Sequence, residues 1–289
     1  MKRILVCLTA IALLGACKKD PTTTPPDGDG GTKTGDTSGT DGAGKPVDTT
    51  VKQEPDPPAI AESREQYLLG NFDKAKETLT PLVADLKQRE QIRASGLAAG
   101  WLALAVVNPV FEDAKEPAEL AVAMGEKSGD KEVQIVAKLA MGSYQIGTED
   151  FAAAATHFEE AYKLQSDGPN AALALVLYGG AKINLAFGGE DKDQIANPGS
   201  LDEAASTFVK AQRLAATQPG NEMVSALAYE GLASAASFKK NFPEACKQLD
   251  EALKIYTAKS AGTPLIDRAN GIGDAANCKK PEPAAKKAK

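Results

Sequence analysis

Phe151, Ala154, Phe158, Ala161 and Leu164 fall three or four residues apart, and the same order of large and small side chains returns along the chain. It recurs as Leu201, Ala204, Phe208, Ala211 and Leu214, and again as Phe242, Ala245, Leu249, Ala252 and Ile255. A fourth copy begins at Gly70-Asn71-Phe72-Asp73-Lys74-Ala75 and continues with Leu79 and Leu82; a weaker fifth runs Ala118, Val122, Gly125. At ~100° per residue these positions share one helix face. The small Ala lets a neighbouring helix approach closely, and the large residue four positions on fills the space beside it. Internal repeats of this kind point to stacked supersecondary units that bury their apolar faces against one another.

Each copy is preceded by a second apolar segment of helical period: Ile60 to Leu69, Glu90 to Val107, Lys131 to Ile146, Asn170 to Phe187 and Met223 to Lys239. Breaks fall at Gly70-Asn71, Asn108-Pro109, Gly129-Asp130, Gly168-Pro169-Asn170, Asn197-Pro198-Gly199 and Pro219-Gly220-Asn221. Alternating apolar and polar runs are almost absent, so strands are not expected. The pattern predicts an all-α body over 59–260, built of about five helical hairpins. Thr263-Pro264 reads as a further helix start, with Pro at the first helical position. Leu265, Ile266 and Ile272 are placed to cover the last hairpin, giving a capping segment over 261–278.

The spacing resembles the second helix of a tetratricopeptide repeat, and Leu-Gly-Asn-Phe-Asp-Lys-Ala at residues 69–75 is similar to that family's turn and helix start. Gly142 and Ala233 stand where the family places a small first-helix residue, the latter beside Tyr229 and Leu232. The resemblance covers about 200 residues and implies a right-handed α-solenoid. Two departures stand out. Gly147-Thr-Glu-Asp-Phe151 carries extra residues in the turn, and Gly188 to Ser200 is a long insertion. The repeat Ala positions 75, 118, 154, 204 and 245 lie 43, 36, 50 and 41 residues apart, without a constant period.

The N-terminus has its own pattern. Lys2 and Arg3 precede an apolar run, Ile4 to Leu14, followed by Gly15-Ala16-Cys17. This resembles the lipobox of a bacterial lipoprotein signal peptide. The run is short of the ~20 apolar residues that span a bilayer. The resemblance implies a signal peptide over 1–16, cleavage before Cys17, and acylation of Cys17 as a membrane anchor; more than one acyl chain is needed for firm anchoring. Lys18, where an Asp would favour inner-membrane retention in enteric bacteria, leans towards the outer membrane, with the body in the periplasm or facing outward. From Cys17 to residue 58 the sequence is rich in Thr, Gly, Asp and Pro. It has too little apolar surface to offset its ordering entropy and is expected to be a disordered tether. The last eleven residues, 279–289, form a basic tail expected to be disordered.

Charge and cysteines narrow the function. The formal charge of −6 becomes −8 without Lys2 and Arg3. The tail carries five Lys and one Glu, which leaves the remainder near −12. An acidic body is a poor match for nucleic acid, whose phosphates need a basic face. Cys7 leaves with the signal peptide and Cys17 takes lipid. Cys246 and Cys278 remain, either as a disulfide in an oxidising compartment or as two inert thiols. A bridge would close a loop of about 32 residues, worth ~3.5 kcal/mol in the chain-entropy view. It would also pin the capping segment to the last hairpin.

No catalytic constellation stands out. His157 is the single His and reads as a partly exposed helix residue, which leaves His-based zinc clusters without ligands. Glu190, Asp191 and Asp193 do not match a calcium loop. Trp101 sits in an Ala- and Leu-rich helix and reads as core. The expectation is a protein that is not an enzyme and holds no cofactor or metal. The solenoid resemblance implies a concave groove for protein partners, lined in the last hairpin by Leu227, Glu230, Ser234 and Ser237. Tetratricopeptide lipoproteins of the outer membrane are similar in plan. They serve β-barrel insertion, act as pilotins for secretin rings, or support motility machines. The expected function is therefore a lipid-anchored scaffold for cell-envelope protein partners. A second reading is an accessory subunit of a periplasmic solute-binding and transport system, which would favour an apolar internal pocket. The oligomeric state is left open.

Overall fold

The structure is a computed structural model and describes residues 54–107, 110–187 and 194–278. Cys17, the expected signal peptide, most of the expected tether, the acidic part of the insertion at 188–193 and the basic tail at 279–289 lie outside the described residues. Among the described residues there are eleven α-helices and no strand: α1 (Pro58–Leu68), α2 (Phe72–Gln88), α3 (Ile92–Val106), α4 (Lys115–Ser128), α5 (Lys131–Gly147), α6 (Phe151–Leu164), α7 (Ala171–Ala186), α8 (Pro198–Ala216), α9 (Glu222–Phe238), α10 (Phe242–Ala258) and α11 (Thr263–Ala275). A single 3-10 turn, Phe111–Ala114, leads into α4. Each helix packs on the next, which makes an all-α solenoid of helical hairpins.

The odd-numbered helices also pack on one another, α1 on α3, α3 on α5, α5 on α7, α7 on α9 and α9 on α11, so they form the inner layer. Composition explains the division. The outer helices carry a narrow stripe: α2 buries Ala75, Leu79 and Leu86, and α10 buries Ala245, Leu249, Ala252 and Tyr256. By contrast α3 is apolar or small all round, and every residue from Ala94 to Val107 is buried. In α7 the run Ala171–Leu177 is buried in the same way. A helix that is apolar on all sides can only sit between other elements. In α4 the buried stripe is Ala118, Ala121 and Gly125; Ala121 takes the place expected of Val122, which is only half-buried.

Close approach between layers depends on glycine notches. The Phe208 ring of α8 lies between α7 and α9, where a Cβ on Gly179 would come within 2.7 Å of its Cε1 and one on Gly231 within 2.4 Å. Phe158 of α6 fills the matching notch at Gly142 of α5, at 2.6 Å. So the aromatic of the repeated pattern docks where the facing helix has no side chain.

One turn geometry recurs. Three residues separate α1 from α2, α2 from α3, α5 from α6 and α9 from α10. In each turn the middle residue is left-handed: Gly70 (φ 77), Glu90 (φ 54), Glu149 (φ 62) and Lys240 (φ 58). The following N–H then bonds back six residues to one, as in Asn71 to the Gln66 carbonyl at 2.8 Å and Asp150 to the Gln145 carbonyl at 2.9 Å. This is the Schellman arrangement, which satisfies the helix's last carbonyls. The segment Gly147–Phe151 therefore has no extra residues in its turn. Gly147 still belongs to α5, and the hairpin closes like the others.

The tether joins the body earlier than position 58. The Glu54 N–H donates to the Gln91 side-chain oxygen at 2.9 Å, Arg89 pairs with Glu54, and Arg93 pairs with Asp56. Residues 54–57 thus lie against the α2–α3 turn. The insertion ends at Asn197, whose side chain caps α8 by accepting from the Ser200 N–H at 3.4 Å.

Candidate functional site

Three of the four residues expected to line an open groove are inside the protein. Leu227, Glu230 and Ser234 are buried, Glu230 to 1 % exposure, and Ser237 is half-buried. Two packing events account for this. Helix α11 lies over α9 and α10, and the two ends of the coil meet. The Gly262 N–H donates to the Leu69 carbonyl at 2.7 Å, and Leu265 of α11 sits against Gly70 in the first turn. The inner layer is covered by the protein's own ends.

Glu230 is the centre of a buried polar cluster. Its carboxylate accepts both a Nε–H and a Nη2–H of Arg268 on α11, the latter at 2.9 Å, and also the hydroxyl of Tyr256 on α10. This is the two-pronged guanidinium–carboxylate geometry, the strongest common form of ion pair. Burial would draw the Arg268 guanidinium down, but the adjacent Glu230 carboxylate holds it above its ordinary value. The Tyr256 phenol is pushed well up, by burial first and by Glu230 second. Tyr67 of α1 is also pushed up by burial, with Arg268 partly opposing. Both phenols stay protonated, and the ion pair neutralises itself, so the cluster joins four helices without presenting a base or a nucleophile.

A second cluster lies at the N-terminal ends of α7 and α9. The Arg64 guanidinium of α1 donates to the Asn170 side-chain oxygen at 3.1 Å, the Pro169 carbonyl at 3.2 Å and the Asn221 side-chain oxygen at 3.2 Å. Its Cζ lies 5.7 Å from the centre of the Trp101 ring, within cation–π range. Trp101, 2 % exposed, also packs against Tyr67, as expected of a core residue. Asn170 and Asn221 hold the N-cap positions of α7 and α9, yet their oxygens go to Arg64 and not to their own helices' N–H groups. Burial draws the Arg64 guanidinium down, with Glu132 opposing.

Cys246 and Cys278 form a disulfide, with Cα atoms 5.4 Å apart. The bond ties the end of α11 to α10. Both residues are half-buried and line an open cleft of about 460 Å³ together with Phe242, Pro243 and Asp250.

His157 is half-buried, its Nδ1 has no hydrogen-bond partner, and burial followed by Lys138 lowers its pKa. Tyr178 and Lys182 of α7 meet Glu203 of α8, with the phenol donating to Glu203 at 2.5 Å and Lys182 3.0 Å from it. Burial and then Glu203 raise the Tyr178 pKa, the wrong direction for a tyrosinate base. Among the described residues no group of three or more His, Cys, Asp or Glu side chains is placed to hold a metal ion. No protein-family model matches this chain, and no curated protein matches it in sequence.

Arg268, Tyr256 and Arg64 are the cluster residues the repeat pattern does not pick out. A signal for one of them, Arg268, exists when it is taken with Glu230. Arg268 shares one helix face with Leu265 and Ile272, and Glu230 shares one with Leu227 and Ser234. A charge on an otherwise apolar or small stripe needs an opposite charge facing it.

Proposed function

We propose that the protein is a non-catalytic scaffold of the cell envelope, tethered to the outer membrane by lipid on Cys17, with its body in the periplasm. Its partners are proteins, and they dock on the outer helices of the closed coil. The observation that carries this reading is the fate of the interior. The ionisable groups held inside are matched to one another, Glu230 to Arg268, and the central inner helices bury the runs Ala94–Val107 and Ala171–Leu177 against other parts of the chain. What is left for recognition is the outer layer of α2, α4, α6, α8 and α10. Its charged side chains sit at intervals on a rigid curved frame, which suits an assembly factor. Docking on the outside departs from the groove mode of the tetratricopeptide family. The transport-subunit reading requires a ligand between the inner helices, and the complete burial of Ala94 to Val107 speaks against it.

Cross-linking in intact cells tests this, with affinity capture of the tagged protein beside a Cys17→Ser control and mass spectrometry of what is recovered. Recovery of components of one envelope assembly, lost or weakened in the control, supports the scaffold. Recovery of a solute-binding protein together with a bound small molecule would transfer the function to transport. Retention of the Cys17→Ser variant on membranes through a carbonate wash would sink the lipid anchor.

A further inference from the structure

The disulfide at the end of the coil is placed where a second protein can reach it. Cys246 and Cys278 are both half-buried and open onto the cleft of about 460 Å³. Phe242, at the rim, is 41 % exposed, among the most exposed large apolar side chains of the described residues. Pro243, Asp250 and Asn277 complete the wall, and Asn277 takes a left-handed conformation (φ 55) that turns the chain back towards α10. An exposed aromatic beside an accessible disulfide is a docking feature that a purely structural staple does not require.

The helix secured by this bond is poorly suited to stand alone. Asn270, Gly271 and Gly273 fall within its thirteen residues, and all three are weak helix formers. Its two ends are held differently. The N-terminal end is fixed by the Gly262 to Leu69 hydrogen bond and by Leu265 against Gly70. The C-terminal end, with both glycines, is fixed by the disulfide. Between them, Arg268 covers Glu230 and approaches Tyr67.

We propose that Cys246–Cys278 is a thiol–disulfide exchange site for a protein dithiol that docks at the Phe242–Pro243 cleft, and that opening it releases α11 from Arg268 onward and so uncovers Glu230. The chemistry balances without any further reagent. A thiolate of the partner attacks one sulfur, the other leaves as a thiolate, and a mixed disulfide forms. The partner's second thiol then displaces the protein's sulfur. Cys246 and Cys278 end as two thiols and the partner dithiol ends as a disulfide. Release exposes a surface with a carboxylate, Glu230, flanked by two phenols, Tyr67 and Tyr256. That surface is complementary to an Arg- or Lys-bearing helix in place of α11.

The proposal stands apart from the scaffold reading and is tested on the purified mature protein under native conditions. The probes are reduced thioredoxin, as a protein dithiol, and dithiothreitol, as a small one. Alkylation of Cys246 and Cys278 is read peptide by peptide, and hydrogen exchange is followed over residues 263–275 and 92–106. The expected result is reduction by both probes, with protection over 263–275 falling at least about tenfold and that over 92–106 unchanged. Phe242→Ser should slow thioredoxin about tenfold and leave dithiothreitol unaffected, as expected when one anchor of an interface is removed. The Cys246→Ser/Cys278→Ser variant should show the open α11 without any reductant. A disulfide that survives both probes overturns the proposal. So does a double variant whose α11 is as protected as in the oxidised protein, or a Phe242→Ser variant that reacts with thioredoxin at the original rate.

Discussion

The Arg64 guanidinium donates to the Asn221 side-chain oxygen at 3.2 Å across 157 positions of sequence, which brings the first helix of the coil to the start of the ninth. The contact takes the asparagine away from capping its own helix, a role worth about 1 kcal/mol. The same holds for Asn170 on α7. Closure of the coil is therefore favoured over local helix termination at both places.

Arg64→Ala should cost about 2–3 kcal/mol, because hydrogen bonds to a charged group are the stronger kind and three are lost at once. Some of the loss returns if Asn170 and Asn221 turn to cap α7 and α9. Arg64→Lys should recover little, since an ammonium cannot reproduce the planar fork that spans Asn170, Pro169 and Asn221. Urea unfolding of the three proteins measures the differences. Equal stability of Arg64→Ala and the parent would show that the closure contributes nothing.

The Phe208 ring sits between two glycines, so adding one methyl on either side overpacks it. Gly231→Ala should destabilise by about 1–3 kcal/mol, the usual cost of extra volume in a tight core. Phe208→Leu placed on top of Gly231→Ala should be less harmful than the two changes summed, since the smaller side chain vacates the contested space. Thermal melts of the double-mutant cycle provide the comparison, and strict additivity would mean that the close approach is relieved elsewhere.

The repeated outer-helix pattern makes the hairpin count, the helix order, the buried Ala positions and buried Phe158 and Phe208 legible in the sequence, whereas Phe242, at the head of the third copy, is 41 % exposed. The closed interior was not legible, because it depends on contacts between residues far apart in sequence. Nothing near Gly70 announces Leu265, and nothing near Arg64 announces Asn221. Open-groove lining at Leu227, Glu230 and Ser234 follows from counting within one hairpin, and such counting cannot register that α11 covers that face. Burial of the runs Ala94–Val107 and Ala171–Leu177 is partly foreshadowed, since both consist of apolar and small residues. The Gly147–Phe151 turn looked longer than its neighbours only because Glu149 takes the left-handed conformation without being a glycine.

The Glu230–Arg268 pair should be costly to halve and cheaper to remove. Glu230→Gln leaves the Arg268 charge buried without a counter-charge, at about 3–5 kcal/mol. Glu230→Leu combined with Arg268→Met should be milder than either single change, because no uncompensated charge remains. Chemical denaturation at neutral pH gives all three values. A double variant worse than the sum of its parts would mean that the pair is needed for the way α11 docks.

Alkaline stability should report the buried phenols. Tyr67 and Tyr256 both have folded pKa values raised above the ordinary 10.0 by burial. Below pH 10 both the folded and unfolded chains keep these protons, so the stabilisation is fully present. Above it the unfolded chain ionises first, and stability falls as pH rises, by about 1.4 kcal/mol per unit for each such phenol. Tyr67→Phe should reduce that slope by about one phenol's share. Its effect at pH 7 should be small, since the Tyr67 hydroxyl has no hydrogen-bond partner to lose. Denaturation at pH 9, 10 and 11 tests this, and an unchanged slope in Tyr67→Phe would show that the phenol ionises while folded.

The recurring turn offers opposite outcomes at equivalent positions. Lys240 adopts φ 58 with an exposed side chain, so a residue with a Cβ bears the left-handed penalty there. Lys240→Gly should stabilise by about 0.5–1 kcal/mol, the relief of that penalty less the extra freedom glycine has when unfolded. Gly70 holds the same place in the first turn at φ 77, but a Cβ there would also lie 2.7 Å from Leu265 Cγ. Gly70→Ala therefore meets both the backbone penalty and the side chain that closes the coil, and should lose about 2 kcal/mol or more. Hydrogen exchange separates the two causes. If the clash with Leu265 matters, Gly70→Ala loosens α11 as well as the first turn; a loss confined to residues 66–75 would leave only the backbone penalty.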